Sequence, residues 1–167
     1  MKIYLAGPDV FRPDVAEWAE SVRELCRRYG FEPLLPVDHN EKTPEKIFQA
    51  NIDLIRKAQI VAANLDPFRG PEPDSGTAFE LGYALALGKK ICGYVTRLET
   101  AAQRVDAAEN RSEPHASYGD KLTDRNGLMI ENFGLPCNLM LSIPANIVEG
   151  DLEACLQSIR SRPPVAA

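Results

Sequence analysis

The residues best suited to chemistry lie in one run near the middle of the chain, Asp74-Ser-Gly-Thr-Ala-Phe-Glu80. Asp74 falls at or just before the start of a predicted helix, and Glu80 falls near its second turn. Gly76, Thr77 and Glu80 share one helical face, because side chains three and four residues apart are neighbours on a helix. We expect the positive end of the helix dipole to help keep Glu80 ionised. An ionised carboxylate on the floor of a cleft can attack the anomeric carbon of a sugar.

A third carboxylate, Asp53, interrupts the apolar run Ile52-Asp53-Leu54-Ile55. Either Asp53 is a solvated position on an amphipathic helix, or it is a proton donor that faces the same cleft. Taken singly, Asp74 is explained as an N-cap and Glu80 as a carboxylate that favours the start of a helix. Tyr4, in a predicted central strand, is by itself typical of a core residue whose hydroxyl finds a partner. Only the combination of these residues indicates a site.

The elements that must position these residues are short apolar strands alternating with amphipathic helices. We predict strands at residues 2–6, 31–35, 59–65, 90–95 and 146–149. We predict helices from residue 13 to about 29, from residue 43, and at 75–87, 136–142 and 151–160, with part of 99–109 also helical. The fold class is therefore α/β, a flavodoxin-like or Rossmann-like three-layer sandwich whose five-stranded parallel sheet has the order 2-1-3-4-5. That topology binds ligands beyond the carboxyl ends of the first and third strands, which are followed by loops at 7–11 and 66–75.

The length of 167 residues suits one domain. We place this domain at residues 1–161 and expect residues 162–167 to form a flexible tail. The net charge of -5 offers no polybasic surface to a nucleic acid polymer or a membrane. The first residues lack a signal-peptide pattern, and no apolar stretch is long enough to span a bilayer. We therefore expect a cytoplasmic protein.

No organic cofactor or metal is indicated by the motifs. The first loop contains neither G-x-G-x-x-G nor G-x-x-x-x-G-K-[ST], so dinucleotide and P-loop chemistry are poorly supported. The chain has two histidines and four cysteines, and none of the cysteines forms a C-x-x-C pair, which argues against a zinc site. Cys26, Cys92 and Cys155 lie among apolar residues and are expected to be reduced core thiols.

Taken together, these motifs resemble the nucleoside 2-deoxyribosyltransferase family. The most specific segment is Asp74-Ser-Gly-Thr-Ala-Phe-Glu80-Leu-Gly, which matches the family's D-x-G-[ST]-A-F-E-[LIV]-G run. The opening Ile3-Tyr4-Leu-Ala-Gly7-Pro-Asp-Val-Phe11 also resembles the family's first strand and loop. Further matches are Asn51-Ile-Asp53, the Phe68-Arg69-Gly-Pro-Glu-Pro-Asp74 loop and the late motif Asn138-Leu-Met140.

The resemblance implies a role for each matching residue. Glu80 would be the nucleophile that takes 2-deoxyribose as a covalent ester, and Tyr4 would hold its carboxylate. Asp53 would protonate the departing base and deprotonate the incoming one, and Asp74 would bind a deoxyribose hydroxyl. Asn138 would reach the sugar from a neighbouring subunit, which makes the enzyme at least a homodimer. The other substrate-binding candidates are Gly7, Phe11, Arg69, Gly76 and Met140.

The resemblance implies a salvage enzyme that moves 2-deoxyribose between free purine or pyrimidine bases, with slow hydrolysis when no acceptor is present. One alternative is a deoxynucleoside 5'-monophosphate N-hydrolase, for which Asp9 in the first loop would repel the phosphate. A second alternative is a non-catalytic nucleotide-binding module, which has no need of three carboxylates in one cleft. The base preference, the oligomer size beyond a dimer and the role of residues 96–132 are left open by the sequence.

Overall fold

A parallel sheet of five strands forms the centre of the computed structural model, which describes residues 1–109, 117–118 and 121–161. The predicted tail at 162–167 therefore lies outside the described residues. The strands of this sheet are β1 (Lys2–Ala6), β2 (Glu32–Leu34), β3 (Ile60–Asn64), β4 (Lys90–Val95) and β7 (Asn146–Glu149). Their order is β2-β1-β3-β4-β7, and neighbouring strands are parallel.

The predicted order 2-1-3-4-5 is confirmed, because β7 is the fifth strand of this sheet along the chain. Between β4 and β7, the strands β5 (Ser117–Tyr118) and β6 (Lys121–Leu122) pair only with each other, as an antiparallel hairpin. The segment that the sequence left without a role thus contains a small folded unit.

The helices begin where the sequence provides starting signals. Their bounds are α1 (Val15–Arg28), α2 (Pro44–Lys57), α3 (Ser75–Ala86), α4 (Ala101–Glu109), α5 (Leu139–Ser142) and α6 (Leu152–Ser161), with a 3₁₀ helix at Pro8–Phe11. Pro44 opens α2, where the fixed φ of proline suits the first helical position. Asp74 is the N-cap of α3, and its side chain accepts a hydrogen bond from the Thr77 N–H.

The sheet separates two apolar cores, which gives the three layers expected of this topology. On one face, α1 and α6 pack their buried residues against the strands, including Val22, Cys26, Cys155 and Leu156. On the other face, α2 and α3 contribute Ile55, Leu81 and Ala84 to a core that also contains Tyr4. All four cysteines are buried and form no disulfide within the described residues, and Cys26, Cys92 and Cys155 lie among apolar residues as predicted.

The two loops that follow β1 and β3 lie side by side. Ala6 pairs with Ala63 at the carboxyl ends of these adjacent strands. The Asn64 side chain then bridges the loops, because its Nδ2 donates to Asp9 Oδ2 at 2.9 Å. Across the described ranges, none of the helices has the length and apolar character needed to cross a membrane.

Candidate active site

A buried tyrosine and a partly buried glutamate form the centre of the site. Tyr4 has no exposed surface, and its hydroxyl donates to Glu80 Oε1 at 2.6 Å. β1 supplies the tyrosine and the second turn of α3 supplies the glutamate, so the contact joins residues 76 positions apart in sequence. A phenol–carboxylate bond of this length is a charge-assisted interaction that fixes one oxygen of Glu80 and leaves Oε2 available.

The surroundings of Glu80 hold its proton more firmly than water does. Burial raises the pKa of Glu80 to about 7, the hydrogen bond from Tyr4 lowers it, and the nearby charge of Asp74 raises it again. The pKa of Tyr4 is raised well above its usual value, chiefly by burial and then by the charge of Glu80. The helix dipole, which we expected to help keep Glu80 ionised, does not prevent the rise in the pKa of Glu80, whose largest cause is desolvation by burial. Near neutral pH the carboxyl group is divided between its two forms.

Asp74 is held at the start of α3 with one oxygen in use. Its Oδ2 accepts the backbone N–H of Thr77 at 2.9 Å and the Thr77 hydroxyl at 3.1 Å. Thr77 is almost fully buried, which locks this arrangement. A Cβ on Gly76 would lie 3.0 Å from Asp74 Oδ2, so a larger residue would crowd the carboxylate. The other oxygen of Asp74, Oδ1, makes no hydrogen bond with the residues that the structure describes.

Gly7 allows the first loop to approach the third strand closely. A Cβ at this position would lie 2.8 Å from the Cβ of Asn64, closer than side chains normally come. Any other residue would therefore push apart the two loops that the Asn64–Asp9 hydrogen bond joins. Gly7 acts through this packing of the two loops.

Aromatic side chains from the same two loops stack on each other. The rings of Phe11 and Phe68 are nearly parallel with centroids 5.5 Å apart. The Arg69 guanidinium lies 4.6 Å from the Phe68 centroid and 5.2 Å from the Phe11 centroid. Arg69 has a φ of 57°, a left-handed conformation uncommon for a residue with a side chain. Phe11 is 58% exposed, so this stack offers a flat apolar surface to a planar ligand.

Asp53 lies on α2, on the side that meets α3. Its Oδ1 accepts hydrogen bonds from Gln49 at 3.0 Å and Arg56 at 3.1 Å, and 46% of its side chain is exposed. Arg56 also donates to the hydroxyl of Tyr83, which lies one turn after Glu80 on α3. In the described part of the chain, the Asp53 carboxylate thus contacts only residues of its own helix. Its role as a proton donor stays a prediction.

Asn138 and Met140 lie away from the Glu80 of their own chain. Both border a cavity of about 510 Å³ whose wall on α3 is formed by Ala78, Gly82 and Leu85. Positions four and seven residues apart form one helical face. Glu80 is two residues from both Ala78 and Gly82, which places it about 200° away around the helix. Asn138 and the Glu80 of the same chain are therefore on opposite sides of α3.

Four residues of this region were not identified from the sequence. They are Asn64, Phe68, Thr77 and Glu131, which bridges to Asn138. Asn64 and Thr77 carried a usable signal, because one ends a strand and the other follows an N-cap by three residues. Glu131 lies in an irregular segment, where spacing carries no information about contacts. Within the described ranges, His, Cys, Asp and Glu side chains form no group of three that could hold a metal ion.

Comparison with known families gives a match across most of the chain. The family described as nucleoside 2-deoxyribosyltransferase matches residues 3–140. An uncharacterized protein of Schizosaccharomyces pombe is 31% identical over an alignment 160 residues long, and the match covers 83% of this chain and 74% of that protein.

Solved structures give the same result. A 2-deoxyribosyltransferase from Leishmania mexicana has a TM-score of 0.77 and 37% identity, covering 97% of this chain and 99% of that one. A CMP N-glycosidase from Clostridium botulinum has a TM-score of 0.50 and 16% identity, covering 97% of this chain and 100% of that one. At that identity, the second likeness concerns the fold alone.

Proposed function

Because this chain belongs to the nucleoside 2-deoxyribosyltransferase family, we propose that it transfers 2-deoxyribose from a deoxynucleoside to another purine or pyrimidine base. The observation that supports this most is the partly buried Glu80 carboxyl group, hydrogen-bonded at 2.6 Å to the Tyr4 hydroxyl. With a pKa of about 7, this carboxyl group is ionised often enough near neutral pH to attack a sugar carbon. The ester that it would form is neutral, which suits a site that is shielded from water.

The proposed reaction has two displacements at the anomeric carbon. In the first, Glu80 Oε2 bonds to that carbon, the bond to the base breaks, and the base leaves with the bonding electrons and a proton from Asp53. In the second, a nitrogen of the incoming base bonds to the same carbon, the ester bond breaks, and the base returns a proton to Asp53. Two inversions give retention, as in glycosidases with a carboxylate nucleophile.

Recognition of the sugar is proposed for Asp74 and Asn138. The free oxygen of Asp74, Oδ1, would accept a hydrogen bond from a deoxyribose hydroxyl, while Thr77 holds Oδ2. Asn138 would serve a neighbouring subunit, since it lies across α3 from the Glu80 of its own chain. This separation supports an assembly of at least two chains, in which each site takes Glu80 from one chain and Asn138 from another.

Recognition of the base is proposed for the stack of Phe11 and Phe68. A purine or pyrimidine is planar and would lie against the exposed ring of Phe11, with Arg69 holding the stack from the other loop. Met140, which is 73% exposed, would contact the substrate of the neighbouring subunit beside Asn138.

The test is incubation of the protein with deoxyinosine and adenine, followed by chromatography for deoxyadenosine and hypoxanthine. We expect both products, and little reaction with inosine or with deoxynucleoside monophosphates. Asp9 supports the last expectation, because its carboxylate lies in the first loop, bound by Asn64, where it would repel a phosphate. Cleavage confined to monophosphates, with release of the free sugar phosphate, would instead identify a hydrolase.

Replacing Tyr4 by phenylalanine is expected to move the pH dependence of transfer. The wild-type kcat/KM for a donor should rise about tenfold between pH 6 and 8, as the carboxyl group with a pKa of about 7 ionises. The Tyr4 hydrogen bond lowers the pKa of Glu80, so its loss raises that pKa and shifts the acid limb to higher pH. Initial rates over a pH series measure this, and an acid limb at the same pH in both proteins would remove Tyr4 from its role.

Replacing Asp53 by asparagine is expected to slow transfer by about a hundredfold or more for bases that must leave protonated. The matched control is Arg56→Gln, which removes the 3.1 Å ion pair and keeps the acid. Donors whose base leaves without a proton should lose little in Asp53→Asn. Equal losses in both variants, or for both kinds of donor, would show that Asp53 is only a partner of Arg56.

A further inference from the structure

Glu131 holds the side chain of Asn138 in one orientation. Its Oε1 accepts Asn138 Nδ2 at 2.8 Å, and its Oε2 accepts the backbone N–H of Leu139 at 2.9 Å. Asn138 Oδ1 in turn accepts the backbone N–H of Met140 at 2.9 Å. A carboxylate only accepts and a peptide N–H only donates, so this network determines which end of the carboxamide is nitrogen.

The backbone that carries Glu131 is itself anchored. Ile130 N–H donates to the carbonyl oxygen of Leu122 in β6 at 2.9 Å. Arg125 pairs with Glu109, the last residue of α4, at 3.4 Å. Glu131 therefore follows a segment that is bound to both β6 and α4, and these contacts fix the position from which its carboxylate binds Asn138.

The network leaves Asn138 with the groups that a sugar hydroxyl requires. A carboxamide has two N–H donors and two lone pairs on its oxygen. Within the part of the chain that the structure describes, Glu131 takes one donor and the Met140 N–H takes one lone pair, which leaves one of each. A hydroxyl group both donates and accepts, so it complements what remains.

On the basis of the proposed function, we propose that Glu131 is a positioning residue that orients Asn138 toward the sugar bound in the neighbouring subunit. The anchored segment from β6 to Glu131 thereby acquires a role: it supports a side chain that completes another chain's site. Glu131 touches no reacting atom and acts only through Asn138.

The first test is the variant Glu131→Gln. In glutamine one of the two oxygens that Glu131 uses is replaced by an NH2 group, which would face either Asn138 Nδ2 or the Leu139 N–H as donor against donor, so the two-oxygen arrangement is lost. We expect kcat/KM for the deoxynucleoside donor to fall about tenfold, mostly through KM, as one sugar hydrogen bond is lost. The acid limb of the pH profile should not move, because Glu80 is untouched. Glu149→Gln, an exposed carboxylate at the end of β7, makes the same charge change and should behave as wild type.

The decisive test is complementation between subunits, with the two chains coexpressed under different affinity tags and the hybrids isolated. A hybrid of Glu131→Gln with Glu80→Ala contains one site with intact Glu80 from the first chain and intact Glu131 and Asn138 from the second. We expect that site to have a wild-type KM. A hybrid of Glu131→Gln with Asn138→Ala has a defect in each site and should keep the high KM.

Three results would overturn the inference. The first is a wild-type KM in Glu131→Gln alone. The second is recovery in hybrids of Glu131→Gln with Asn138→Ala. The third is a high KM in the hybrid of Glu131→Gln with Glu80→Ala, while the hybrid of Asn138→Ala with Glu80→Ala regains a wild-type KM. That result would contradict the role of Glu131 and would leave the proposed function intact. A wild-type protein that transfers no deoxyribose would contradict the proposed function and this inference together.

Discussion

Glu80→Ala is expected to lower the rate of transfer from deoxyinosine to adenine by at least about a thousandfold, as removal of a nucleophile does in other enzymes. The physical reason is that the two other carboxylates assigned to the site are held elsewhere: Asp74 is bound by Thr77 at the start of α3, and Asp53 is paired with Arg56. The rates of wild type and variant, measured at the same protein concentration, provide the comparison.

This result requires that the variant fold and assemble normally. Glu80→Ala should unfold cooperatively at a temperature well above that of the assay, and its elution volume should match that of the wild type, which excludes loss of the site by unfolding. Glu149→Gln, a change of equal charge at an exposed position, should keep full activity. Transfer by Glu80→Ala at a rate near the wild type would remove the nucleophile and with it the proposed mechanism.

Glu80→Gln is expected to make the protein more stable at pH 8, although it should be inactive. The unfolded chain ionises Glu80 at its usual pKa of 4.5, whereas burial raises the pKa to about 7 in the folded protein. The folded state therefore holds the proton more firmly, and the stability associated with Glu80 falls as the pH rises from 4.5 to about 7. Glutamine is neutral throughout, so its advantage over the wild type should grow to about 3 kcal/mol at pH 8.

Urea unfolding of both proteins at pH 5 and pH 8, at one protein concentration, measures this difference. The free-energy difference between variant and wild type should be small at pH 5 and large at pH 8. For Glu149→Gln, the difference from the wild type in the free energy of unfolding should be the same at pH 5 and at pH 8. A Glu80→Gln advantage that does not depend on pH would mean that the carboxyl group is not desolvated in the folded protein.

The order of the sheet and the start of α3 were predictable because both depend on local patterns. Alternation of apolar strands with amphipathic helices restricts the topology to a few choices. Asp74 is recognisable as an N-cap because the residue three positions later supplies the N–H that it accepts. These features need no knowledge of which residues meet across the fold.

The protonation of Glu80 was not predictable, because it depends on burial. The helix dipole could be inferred from position, but the desolvation that raises the pKa of Glu80 is visible only once the packing around Tyr4 and Glu80 is known. The same limit applies to Asn138. Its place across α3 from Glu80, and its hydrogen bond to Glu131, arise from an irregular segment whose contacts no periodicity encodes.

The family motif was sufficient to pair Tyr4 with Glu80, although the two are 76 positions apart. It did not reveal the stack of Phe11, Phe68 and Arg69, because that contact depends on how two loops approach each other. Gly7 provides that approach, and its role can be stated only from the 2.8 Å that a Cβ would leave to Asn64.

The most direct measurement is the mass of the intact protein after acid quenching with excess deoxyinosine and no acceptor base. We expect a fraction of chains heavier by one deoxyribosyl group, located by peptide mapping on the segment that contains Glu80 and absent from Glu80→Gln. Two results would contradict Glu80 as the nucleophile. One is unmodified protein while hypoxanthine is steadily released, under quench conditions that preserve an ester. The other is modification of a different residue.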